Sequence, residues 1–82
     1  MQILFFASLR EALNTEAESW VKMKSITDVK QLLEHLKERG EPWASALSNP
    51  QLIFSVNQEV ASLDSQIKLG DEVAFFPPVT GG

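Results

Sequence analysis

The sequence predicts an α+β domain in which a mixed five-stranded sheet packs on one main helix. Three observations carry that prediction. One segment, residues 25–40, has the apolar spacing of an amphipathic helix long enough to cover a sheet face. Short apolar or alternating runs flank it, two before and three after. The chain has 82 residues and 44% apolar content, enough for one domain with one core and too apolar for disorder.

Gln2 to Ala7 reads as the first strand, because Ile-Leu-Phe-Phe is a short apolar run. Ser8 to Leu13 reads as a helical turn, and Asn14-Thr15 supply turn chemistry. Ala17 to Met23 reads as the second strand, with Trp20 and Val21 inside it. Val29, Leu32, Leu33 and Leu36 then recur at helical spacing and form one apolar face. Ser25 followed by Asp28 fits a capping box, and Asp28 suits the positive end of the helix. Lys37 and Arg39 suit the negative end, and Gly40 stops the helix by entering the left-handed region that side chains resist. Pro42 follows the break, and Trp43 to Leu47 reads as one more helical turn. Leu52 to Val56 is the third strand, Asn57-Gln58 a hairpin tip and Glu59 to Ser62 the return. Leu63 to Leu69 reads as a loop with room for one helical turn, Gly70-Asp71 as a turn and Glu72 to Phe76 as the last strand. Pro77-Pro78 lack N–H donors and leave the sheet. One main helix covers one face of such a sheet, which is the β-grasp, ubiquitin-like arrangement. Residues 1–76 form that domain and residues 77–82 an extended tail closing on Gly81-Gly82.

Composition removes most chemistry. Without cysteine there is no disulfide, thiolate metal site or thiol nucleophile, which fits a reducing, cytoplasmic setting. Apolar runs of a few residues fall far short of the roughly 20 needed to span a bilayer, so no membrane is expected. The net charge of −4, with seven scattered basic side chains, argues against a nucleic-acid partner and for a cationic site on another chain if a phosphorylated substrate is involved. The single histidine, His35, reads as a surface helix residue, and no metal site is expected. Glu16 with Glu18, and Asp71 with Glu72, read as solvated strand ends. No phosphate-binding glycine loop or nucleophile elbow is present.

The tail is the exception. Two closing glycines arise by chance in roughly 0.5% of chains. Here they follow Pro77-Pro78, which favours an extended segment of about 3.1 Å per residue. A stiff stalk with a tip bare of side chains suits insertion of a main-chain carboxylate into a narrow site on another protein. A carboxylate becomes electrophilic once ATP converts it to an acyl-adenylate. A sulfur donor then displaces AMP and leaves a thiocarboxylate, nucleophilic for the reason a thiolate is.

The run Leu69-Gly70-Asp71-Glu72-Val73-Ala74-Phe75-Phe76-Pro77-Pro78-Val79-Thr80-Gly81-Gly82 resembles the C-terminal motif of the MoaD family, the small, sulfur-carrier subunits of molybdopterin synthase. Leu4 to Ala7 with Arg10-Glu11, and Ser55-Val56-Asn57-Gln58, are similar to that family's start and middle hairpin, and length and element order agree throughout. The resemblance implies that an E1-like adenylating enzyme activates Gly82 with ATP, beside Gly81, and that a sulfur-transfer protein supplies sulfur. It implies a large synthase subunit that accepts the tail in a heterotetramer, and cyclic pyranopterin monophosphate as acceptor in molybdenum cofactor biosynthesis. This chain would act as a subunit of the sulfurtransferase and bind no cofactor itself.

Strand alternation adds a partner surface. Ile3 and Phe5 are apolar and so are Leu4 and Phe6; Val73 and Phe75 are apolar and so are Ala74 and Phe76. A sheet with one covered face needs only one set, so the second set forms a patch near the root of the tail. Phe6, Val60 and Phe76, continued by Pro77, Pro78, Val79 and Thr80, are the expected partner-binding residues. Phe5 and Phe75 are expected under the helix. Three other readings share these features: a ubiquitin-like sulfur carrier for thiamine or tRNA thiolation, a protein modifier joined to lysine through its tip, and a non-covalent binding module.

Overall fold

The computed structural model describes residues 1–22 and 25–78. Five strands form one sheet: β1 (Gln2–Phe5), β2 (Ala17–Ser19), β3 (Ile53–Val56), β4 (Glu59–Ala61) and β5 (Glu72–Phe76). The helices are α1 (Ala7–Leu13), α2 (Val29–Lys37) and α3 (Trp43–Ala46). The strand order is β2-β1-β5-β3-β4, with β1 and β5 parallel and the other pairs antiparallel. This is the mixed sheet of an α+β, ubiquitin-like β-grasp fold.

The core lies between the sheet and α2. Ile3 and Phe5 of β1, Val73 and Phe75 of β5, and Val29, Leu32 and Leu36 of α2 are all buried in one cluster. Leu33 packs at its margin. Burying each such side chain contributes about 1.5–3 kcal/mol against the entropy of ordering the chain. Phe75 lies near-parallel to Phe5 at 5.7 Å and meets Phe54 edge-on at 5.6 Å. Leu9 and Leu13 of α1, four residues apart, and Leu47 after α3 close the same core, so the main helix shares its cover with two short ones.

Local chemistry explains the boundaries. Asn14 ends α1 in the left-handed conformation (φ 50°), its N–H turned to the carbonyls of Arg10 and Glu11. Gly40, at φ 89°, lies beyond α2 and donates to the Lys37 carbonyl. Asn57 and Gln58, at φ 53° and 69°, give the two-residue hairpin loop the mirror-image turn that matches strand twist.

Several expectations are corrected. The N-cap of α2 is Asp28, not Ser25. Its carboxylate accepts from the Gln31 N–H at 2.8 Å, and Gln31 Oε1 accepts from the Thr27 N–H at 2.7 Å. Residues 63–69 make no helical turn. Their carbonyls serve α2 instead: Val29 N–H donates to Ser65 and Lys30 N–H to Leu63. Orphan donors of the helix start are thereby satisfied by a distant loop. β1 stops at Phe5, and Ala7, at φ 53°, turns the chain directly into α1. β2 is three residues long, and Trp20 after it still pairs with Met1 in the same register, each N–H donating to the other's carbonyl at 2.7 Å, while its ring packs against the core. Val21 is exposed, and Met23, the expected strand end, lies outside the described residues.

Two of the acidic residues read as solvated are engaged. Glu18 takes both Arg39 nitrogens at 2.6 and 2.8 Å and accepts from Trp20 Nε1 at 2.8 Å. The Arg39 hydrogen bonds hold its carboxyl below the usual range. Asp71 is buried, accepting from Asn57 Nδ2 at 3.0 Å and from the Lys68 N–H at 2.9 Å. The Asn57 bond chiefly lowers its pKa. His35 is half-buried, its ring meeting Trp20 edge-on at 5.4 Å.

Candidate functional site: the open sheet face and the root of the tail

Leu9 and Leu13 of α1 and Val29, Leu32 and Leu36 of α2 are buried in the core on one side of the sheet, with Trp43 and Ala46 of α3 packed against it, and the opposite face is open. The parallel pairing of β1 with β5 sets Phe5 beside Phe75 on the covered side. Each following residue then emerges on the other side. Phe6 and Phe76 stack there, with ring centroids 4.7 Å apart and planes 6° from parallel. Phe5 is 1% and Phe75 0% exposed, whereas Phe6 is 38% exposed and Phe76 half-buried. The strand phase expected from alternation is the one observed.

Val60, at 87% exposure, stands on the edge strand β4 opposite Ser55 of β3. It shares with Phe6 and Phe76 a shallow depression of about 470 Å³, floored by Leu4, Ile53 and Ala74. Ile53 was not singled out from sequence. Its alternation with Ser55 is visible there, but only the pairing of Ile53 with Phe76 places it beside the aromatic stack. Glu72, Ser55 and Gln58 also line this surface.

The prolines occupy a different place. Pro77 and Pro78, half-buried, line a second depression of about 370 Å³ with Leu9 and Ala12 of α1, Ala46 of α3 and Leu52. The chain thus leaves β5 against the short helices rather than across the open face. Val79, Thr80, Gly81 and Gly82 lie outside the described residues. Among the described residues no cluster of three or more His, Asp or Glu could hold a metal ion, and no helix is long and apolar enough to cross a membrane.

A β-grasp sheet with one covered face, an apolar open face and a proline-led exit defines a ubiquitin-like domain suited to docking on another protein. The chain belongs to the ThiS family, whose model matches residues 3–82. It is 42% identical over 82 residues to the molybdopterin synthase sulfur carrier subunit of Escherichia coli, covering all of this chain and 99% of that one. It is 40% identical over 83 residues to the protein of the same name from Haemophilus influenzae, with the same coverage. Among solved structures it is similar to small archaeal modifier protein 1 of Haloferax volcanii (TM-score 0.69, 26% identity, 96% of this chain and 97% of that one).

Proposed function

We propose that this chain is the sulfur-carrier subunit of a molybdopterin synthase, with the carboxylate of Gly82 as its working group. The observation that carries the reading is end-to-end similarity, at 40 and 42% identity, to two proteins of that name. The open apolar face and the proline-led exit beside α1 support it, since they suit a domain that docks and extends a strand into its partner.

In this reading the Gly82 carboxylate attacks the α-phosphorus of ATP held by an E1-like adenylating enzyme, and pyrophosphate leaves. Sulfide-level sulfur (HS⁻) released by a sulfur-transfer protein attacks the acyl carbon, the acyl–O bond breaks, AMP leaves, and loss of the proton gives a thiocarboxylate. The tail then enters the large synthase subunit, where its sulfur is transferred to cyclic pyranopterin monophosphate. Hydrolysis returns the carboxylate. The acidic chain contributes the carrier and the docking face, and the cationic substrate pocket belongs to the large subunit. Glycine at the tip matters because a β-carbon would obstruct a narrow channel and restrict the backbone.

Deleting Gly82 tests the reading. The stalk shortens by about 3.5 Å, far more than the roughly 1 Å misplacement that can cost a hundredfold in rate. ATP–pyrophosphate exchange with the adenylating enzyme and pterin product with the large subunit should both be lost, with the melting temperature unchanged. Near-normal product from the truncated chain would overturn it. The likeness to a modifier protein favours one second reading, conjugation through the same tip. Mass spectrometry of the native chain separates the two: a sulfur-for-oxygen exchange at the terminus marks a carrier, and conjugates to other proteins mark a modifier.

A further inference from the structure

Glu72 stands apart from the other residues of the open face. It opens β5, the central strand of the five, and alternation puts it on the same side as Ala74 and Phe76. It is the charged residue among those lining the apolar depression. Its backbone is held, the N–H donating to Asn57 Oδ1 at 3.0 Å and the carbonyl accepting from the Asn57 N–H at 2.7 Å. Its carboxylate makes no hydrogen bond or ion pair to any described residue. The neighbour across β1, Gln2, turns its side-chain oxygen to Ser19 Oγ at 2.6 Å. Asp71, one residue earlier, has its carboxylate fully engaged on the covered side.

A half-buried carboxylate in the middle of a sheet face is tolerable while water reaches it. Once a partner covers the face, that water is lost, and an unpaired charge beneath an apolar cover is strongly unfavourable. Resting on the reading above, in which the large synthase subunit covers this face, we infer that Glu72 is a specificity-determining contact met by an arginine or lysine of that subunit. Four residues along β5 separate it from Phe76, about 13 Å at the usual strand rise. The cation therefore sits about 13 Å from the pocket that takes the aromatic pair, at the end of the face away from the tail. The stacked rings supply contact area without direction. The charge pair fixes the rotation of the domain about them and so aims the tail.

The test uses full-length chain and the large subunit from the same organism, with binding measured by calorimetry at about 50 mM and about 500 mM salt. Glu72→Gln should weaken binding about tenfold and Glu72→Lys about a hundredfold or more. Binding by the unsubstituted chain should fall with salt more steeply than binding by Glu72→Gln. Melting temperatures of both variants should match the parent, because the carboxylate has no internal partner. If the lysine variant misfolds, the glutamine variant and the salt slope decide. Phe76→Ala is the control for the interface itself. If it weakens binding while both Glu72 variants bind as the parent with the same salt slope, the Glu72 inference falls and the docking face stands. If all three bind as the parent, or the parent does not bind, the docking reading and the inference fall together.

Discussion

The two faces of the sheet are built from the same kinds of residue and behave differently. On the covered face stand Phe5, Phe75 and Asp71, and one position on along the chain, on the open face, stand Phe6, Phe76 and Glu72. Phe75 is sealed under α2 whereas Phe76 stacks on Phe6 in partial contact with water. The Asp71 carboxylate is satisfied by Asn57 and Lys68 whereas the Glu72 carboxylate has no partner among the described residues. Chemical type does not decide whether a residue stabilises the fold or waits for a partner. Cover decides it: a group already desolvated in the monomer contributes to folding, and one still hydrated can contribute only on association.

The aromatic pair gives the largest contrast. Phe75→Ala should cost about 3–5 kcal/mol of stability, because it leaves a cavity among fully buried neighbours. For a domain of this size that lowers the melting temperature by roughly 15 °C or more. Phe76→Ala should cost about 1 kcal/mol, the loss of one aromatic stack, but weaken binding of the large subunit by about 2 kcal/mol. Thermal melts beside calorimetry check both. A melting-temperature collapse in Phe76→Ala with binding retained by the folded fraction would break the comparison.

The carboxylates offer the next contrast. Asp71→Ala leaves the Lys68 N–H and the Asn57 amide without their acceptor, at a cost of about 1–3 kcal/mol. Glu72→Gln should stay within about 0.5 kcal/mol of the parent. The pH dependence carries a sign. The Asn57 hydrogen bond lowers the folded-state pKa of Asp71, so its contribution is present above the unfolded value of about 4 and is lost as pH falls through the folded-state value. Melting temperatures from neutral to acid pH should therefore drop less steeply in Asp71→Ala. An unchanged acid limb would mean that Asp71 is not part of it.

The smallest effect lies at the hairpin tip. Gln58 lines the open face, but it also holds φ 69°, which glycine adopts without steric cost. Gln58→Gly should stabilise the domain by about 0.5–1 kcal/mol, read as a raised melting temperature. A lowered melting temperature would mean that the Gln58 side chain contributes more to the fold than its strained backbone costs.

Much of this was legible in the chain. The bounds of β5, the buried positions Val29, Leu32 and Leu36, the hairpin tip and the opposed phases of Phe5 and Phe6 all follow from local periodicity and turn chemistry. The misreadings share a cause. Trp20 and Val21 looked like strand because they are apolar and adjacent; Trp20 does pair with Met1 through its backbone, but Val21 stands exposed beyond the last paired residue. Ser25 looked like a cap, but Asp28 stands closer to the first helical turn and Gln31 completes the pairing. Asp71 looked solvated because its partners, Asn57 and Lys68, belong to two different turns.

By itself the sequence determined the order of the five strands and the main helix, that β1 and β5 each carry a surplus apolar face, and that the chain runs out through two prolines toward two glycines. The patch of Phe6, Phe76 and Val60 is already expected from alternation; tertiary structure alone decided that the two rings stack, that Ile53 joins them, that the prolines lie against α1 and α3, and that of two adjacent carboxylates one is buried and one is left bare. The reason is range. Periods of 2 and 3.6 residues are set by neighbouring backbone geometry, whereas register and cover depend on pairings between segments some 70 residues apart and on where α2 settles, which no local pattern encodes.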